Sequence, residues 1–189
     1  MDFSLLKSSA IFIALIISFI FYYHHKLIGS KTAVSDAWNN VKSMIKHRHE
    51  VIRIVVSTFK EMCKKERVII EKVTQARLAA EEISLNNIVK LGNAEDLLMS
   101  FVKELFIALA HYDNIVKLDA YYVMGEQIRQ MEIELQKLHW QYNSLARKYN
   151  MLVLKFPSVV VAKLFGFKVV KSFKIHDYSE DIIITRLEK

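Results

Sequence analysis

From Val34 to Ile83 one set of residues recurs at alternating steps of four and three: Val34, Trp38, Val41, Ile45, Arg48, Ile52, Val55, Phe59, Met62, Glu66, Ile69, Val73, Ala76, Ala80 and Ile83. Residues so spaced share one seam of an α-helix, whereas a strand would repeat every two. No glycine or proline falls between Gly29 and Gly92. The spacing therefore predicts a single long helix, about 75 Å for fifty residues. The whole chain of 189 residues has four glycines and one proline. That leaves few residues for the tight turns of hairpins and points to an all-α fold.

Two further seams follow. The second is Ala94, Leu98, Phe101, Leu105, Ala108 and Tyr112. The third is Tyr121, Met124, Ile128, Met131, Leu135, Leu138, Tyr142, Leu145, Tyr149, Leu152 and Phe156. A period of 3.5 residues implies left-handed, near-parallel helix packing. The links are expected near Gly92 and around residues 113–119, and short links make neighbouring helices antiparallel. The expected architecture is an elongated up-down antiparallel bundle of long heptad-patterned helices at residues 29–173. A parallel coiled-coil dimer is the alternative.

Before the bundle, Leu5 to Tyr23 reads LLKSSAIFIALIISFIFYY. As a helix it spans roughly 28 Å, enough for a bilayer core. Lys7 suits one headgroup layer, and Phe21, Tyr22 and Tyr23 suit the other. The following YYHHKLIG has no small-x-small cleavage site, so residues 1–28 read as an uncleaved single-pass membrane anchor rather than a signal peptide. Lys26, Lys31, Lys42, Lys46 and Arg48 follow the apolar run, while Lys7 and the amino group precede it with Asp2 opposing. The positive-inside rule then keeps the domain in the cytoplasm, and the expected location is the inner cell membrane.

The net charge is +7. Basic residues crowd Lys42 to Lys65, and Lys163, Lys168, Lys171 and Lys174 form a second stretch without an acid between them. Beside an anchor such stretches suit anionic lipid headgroups. The aromatics mostly lie on seams and are not interleaved with the lysines, so no stacking platform for nucleic acid is expected. The single Cys63 excludes an internal disulfide and a cysteine-rich zinc site, and no base stands near it in sequence. His47 and His49, two residues apart, do not share a helix face. There is no HExxH, no Glu-x-x-His and no glycine-rich phosphate loop. No catalytic residue, metal ligand or cofactor is expected.

Arg48 and Glu66 break the apolar seam. They stand 18 residues apart, roughly 27 Å along a helix, and do not reach each other. A charge facing a seam needs a partner or water. Glu126 and Glu132 of the third helix are the expected partners of Arg48, in a contact that would fix register. The alternative is a hydrated, splayed bundle.

Three pairs recur at sevens: Tyr142-Asn143, Tyr149-Asn150 and Phe156-Pro157. Pro157 disfavours helix at Phe156 and suits the first turn of a new one. A short helix from Ser158 to Phe165 is expected, with Gly166 just past its end. Phe156, Leu164, Phe165 and Phe167 would then cap the open end of the bundle.

These pairs, followed by Val160-Val161-Ala162-Lys163-Leu164-Phe165-Gly166-Phe167, closely resemble the carboxy-terminal signature of the bacterial LemA family. Upstream, Trp38, Val41, Arg48, Glu66, Glu71-Lys72-Val73 and Ala76-Arg77 resemble its first long helix. Ala94-Glu95, Leu97, Leu109 and Tyr112 resemble its second, and Glu126 and Glu132 the start of its third. The likeness covers roughly residues 20–173. It departs where Val51 to Val56 lacks the family's proline and asparagine, where Tyr112 is followed by Asp113, and where His139 and Trp140 replace arginines. The resemblance implies a single-pass membrane protein with a small helical bundle and no established biochemical activity. One branch of the family is associated with magnetosome membranes.

The function expected is a membrane-anchored helical scaffold or interaction module that meets a protein partner. The alternative is a membrane-organising protein that forms homo-oligomers on anionic lipid, in membrane or organelle biogenesis. The residues expected to matter for structure or interaction are Arg48, Glu66, Tyr142, Asn143, Tyr149, Asn150, Phe156, Pro157, Phe165, Gly166 and Phe167. The carboxy-terminal tail, residues 174–189, has a strand-like run at Ile182 to Thr185 and no assigned role.

Overall fold

The computed structural model describes residues 3–178, apart from Cys63, Asn86 and Lys117. The run at Ile182 to Thr185 lies outside the described residues. Among those described the chain is all-helical: α1 (Phe3–Met62), a 3₁₀ turn (Lys64–Glu66), α2 (Arg67–Glu82), α3 (Ile88–Leu109), α4 (Asp113–Val116), α5 (Asp119–Leu154) and α6 (Ser158–Leu164). By internal contacts the residues form two units, Met1–Trp38 with Asn143–Ser172, and Asn39–Tyr142 with Phe173–Lys189.

Two expectations about helix ends need correction. The first seam belongs to two helices, because α1 ends at Met62 and α2 begins at Arg67. Phe59, Ile69 and Val73 are buried on both sides of the break, so the four-three spacing runs through it unmarked. The next link is Ile83 to Asn87, not Gly92. Asn87 caps α3 by accepting from the Lys90 amide at 3.3 Å. Gly92 sits inside α3, and Gly29 likewise lies inside α1. A helical glycine costs about 1 kcal/mol relative to alanine, too little to stop a helix whose neighbours Leu27 and Val34 are buried.

The core of the second unit draws on α1 (Ile52, Val55, Phe59), α2 (Ile69, Val73), α3 (Leu98, Val102, Leu105) and α5 (Tyr121, Ile128). On α3 the buried stripe is Leu91, Glu95, Leu98, Val102, Leu105 and Leu109. Ala94, Phe101, Ala108 and Tyr112 of the expected second seam are only half-buried. On α5, Glu132, Ala146 and Val153 are buried, while Leu138, Leu145 and Leu152 are half-buried. The expected and observed stripes share Leu98 and Leu105 on α3 and Ile128, Leu135, Tyr142 and Tyr149 on α5, and differ in their flanks. They lie roughly 50° apart around the axis, about half of one residue's step of ~100°.

The third helix ends as expected, at Pro157. Ser158 Oγ donates to the Leu152 and Lys155 carbonyls at 2.7 and 3.1 Å, satisfying the last turn of α5. α6 closes on Gly166, whose φ is 69°. The Phe167 amide donates to the Ala162 carbonyl at 2.9 Å and the Gly166 amide to Lys163 at 3.3 Å. That pair of hydrogen bonds is a Schellman end, and a left-handed residue is what it requires.

Beyond α6 the chain is extended, with Phe173 fully buried. In its own unit Phe173 presents its carbonyl to His139 Nε2–H at 2.9 Å. Gln136 donates to the His176 carbonyl at 2.8 Å, the His176 amide donates to Asp96 at 2.8 Å, and the Tyr178 hydroxyl donates to the Asp96 carbonyl at 3.0 Å. An extended segment has no internal backbone ladder, so these side chains of α3 and α5 supply its partners.

Candidate functional site

The buried polar groups of the second unit converge on Arg48. It stands on the α1 seam with 2% of its surface exposed. Its Nη1 donates to Glu132 Oε1 of α5 at 2.5 Å, and its Nη2 donates to Glu95 Oε2 of α3. Glu95 Oε1 in turn accepts from His49 Nε2–H at 2.8 Å. His49 Nδ1 lies 3.6 Å from Glu81 of α2, and Glu81 pairs with Arg77. Four helices thus supply the cluster. Arg48 Nε, Glu132 Oε2 and the Tyr121 hydroxyl are buried with no hydrogen-bond partner among the described residues.

The electrostatics follow from burial and proximity. Burial alone would weaken Arg48's hold on its proton, but Glu132 and Glu95 more than offset this and raise its pKa. Burial likewise opposes charge on Glu95, yet Arg48 and His49 hold its carboxyl below the usual carboxylate range. One guanidinium therefore faces two carboxylates in a closed site. Its planar fork reaches both at once, which an ammonium does not do. The geometry is that of an internal link in which three carboxylate oxygens pair with three side-chain nitrogens.

Of the two partners expected for Arg48, Glu132 is present and Glu126 is not. Glu126 is exposed and bonded to Arg129 and Gln130, which hold its carboxyl down at about 2. Glu95 was missed as a partner, although the spacing Leu91, Glu95, Leu98 places it on a stripe much as Arg48 is placed on its own. Glu66 lies apart from this cluster, half-buried, and accepts from the Tyr112 hydroxyl at 2.7 Å. His47 is exposed and His49 buried, as two residues on different faces must be.

The second Tyr-Asn pair acts on the extended segment. In the first unit the Tyr149 hydroxyl donates to the Lys168 carbonyl at 3.0 Å. Asn150 donates to the Val170 carbonyl and accepts from the Val170 amide, both at 2.9 Å. One amide side chain thus stands in for a rung of a β-ladder. Tyr142 and Asn143 are buried.

The expected aromatic cap is overturned in part. Phe156 is 83% exposed and Leu164 66%, so neither closes a core. Phe165 is also exposed on its outer side, with its ring 4.4 Å from His24. Phe167 is half-buried, 5.9 Å from His24 and 6.0 Å from the Lys31 ammonium. Pro157 precedes α6, whose buried residues are Ser158, Val161 and Ala162.

Among the described residues, one helix is long and apolar enough to cross a membrane, and it lies near the amino terminus. No curated protein matches the chain. The profile of the LemA family matches residues 37–184, well over half of the sequence. The match takes in Arg48, Glu95, Glu132 and both Tyr-Asn pairs, and the chain belongs to the LemA family.

Proposed function

We propose that this LemA-family protein is a single-pass membrane-anchored helical scaffold that presents its domain to a protein partner and performs no catalysis. One observation carries the reading. The exposed apolar residues Ile11 to Phe21 lie on the same unbroken helix that supplies Arg48 to a buried core. Apolar side chains left in water along a helix of that length have a bilayer as their natural medium. The polar cluster is buried and its charged groups pair with one another, which suits a framework rather than a reaction centre. The short links Ile83 to Asn87 and Ala110 to Tyr112, and the joining of α1, α3 and α5 through Arg48, support up-down packing of the helices.

The excess of Lys and Arg after the apolar run supports an inner-membrane anchor with a cytoplasmic domain. Trp140 is exposed, so Trp140→Cys in a Cys63→Ser background reports sidedness. An impermeant maleimide should label it only after lysis, and labelling of intact cells refutes the assignment. The scaffold itself is tested by cross-linking in the native membrane followed by mass spectrometry. One near-stoichiometric foreign protein is expected. Self-cross-links alone, with lipid co-purifying, would replace this reading with a membrane-organising homo-oligomer.

A further inference from the structure

We infer that the α5–α6 corner is a second membrane-contacting element, set into the headgroup layer of the bilayer that α1 crosses. The inference rests on the anchor reading above. α6 buries Ser158, Val161 and Ala162, so its opposite face is the one a water-exposed helix would make polar. That face instead carries Val160 and Leu164, flanked by Phe156 and Phe165, all of them exposed. Apolar groups gathered at one corner in this way mark an interaction site.

Its position names the occupant. Within the same unit, the Phe165 ring rests on His24, the residue that follows the apolar run ending at Tyr22-Tyr23. Rings at that level of α1 lie where a membrane gives way to its headgroups. The corner is therefore continuous with the lipid-facing surface of α1. Lys163 and Lys168 border it and are exposed. A shallow apolar wedge bordered by lysines matches an anionic interface, which accepts apolar groups beneath and cations above. A protein surface or a second copy of the chain has no comparable argument here.

Spin-label accessibility on the full chain tests this. The chain, with Cys63→Ser, is placed in nanodiscs of phosphatidylethanolamine and phosphatidylglycerol. Single labels are introduced by Tyr22→Cys, Phe156→Cys, Leu164→Cys and Trp140→Cys. Collision with oxygen should exceed collision with a nickel chelate several-fold at 22, 156 and 164, and the ratio should reverse at 140. A lipid-like reading at 22 with an aqueous one at 156 and 164 overturns this inference and leaves the anchor standing. An aqueous reading at 22 overturns both. Labels at 156 and 164 that are immobile and shielded from both colliders show a protein occupant and overturn the inference. All four exchanged sites are exposed, so the fold should tolerate them, with unchanged thermal unfolding as the check.

Discussion

Gly92 lies under the backbone of Lys174: a Cβ at position 92 would stand 2.3 Å from the Lys174 carbonyl oxygen. The extended segment passes over α3 at the one place where α3 has no side chain. Gly92→Ala must push that segment away or shift the helix, and overpacking of this kind costs about 1–3 kcal/mol. Gly29 has nothing within 4 Å, so Gly29→Ala should gain up to about 1 kcal/mol from helix propensity. Urea unfolding of the two variants should move in opposite directions. Equal shifts would sink the assignment of Gly92 to close approach.

Replacing Arg48 leaves Glu95 and Glu132 facing each other without a cation. Arg48→Met should destabilise the second unit by about 3–5 kcal/mol. Arg48→Lys should recover only part of this, because an ammonium does not span both carboxylates. Adding Glu95→Gln and Glu132→Gln to Arg48→Met should return more stability than the three separate changes sum to. Chemical denaturation measures all of these, and strict additivity would argue against a coupled cluster.

The lowered pKa of Glu95 makes stability depend on acid. A carboxyl with its folded pKa below the unfolded value contributes stability above the unfolded value, about 4.3, and loses it as pH falls through the lowered one. Stability of the wild type should therefore drop below about pH 4.3. Arg48, its pKa raised, stays charged throughout and adds no slope. Glu95→Gln should be less stable at neutral pH and lose less on acidification. Parallel pH profiles for the two proteins would contradict this assignment.

Asn150 makes both hydrogen bonds to Val170. Asn150→Ala strands a backbone amide and carbonyl, and should cost about 1–3 kcal/mol. Hydrogen exchange should quicken first at the Val170 amide. Asn150→Asp keeps the acceptor and loses the donor, so it should protect that amide better than alanine does.

Much of this architecture was legible because helices advertise themselves by spacing. Val41, Ile45, Ile52, Val55 and Phe59 were read from the sequence as one face, and all are buried. Pro157 and Gly166 were legible because each has a fixed conformational meaning. Three things escaped. The break after Met62 has no proline or glycine to announce it. Gly92 was read as a stop because a glycine's use in close approach depends on a segment 82 residues further on. Glu95 and Phe156 were misplaced because spacing identifies a stripe but not which flank of it faces the core.

Arg48 has its two carboxylates 47 and 84 residues downstream. At about 5–20 residues per second, a ribosome adds those 84 residues in roughly 4–17 s. For that interval the guanidinium is made and its second carboxylate is not. The centre of the second unit can therefore shut only after most of α5's first half has been synthesised, and the pace of translation sets the earliest moment at which this charge leaves water.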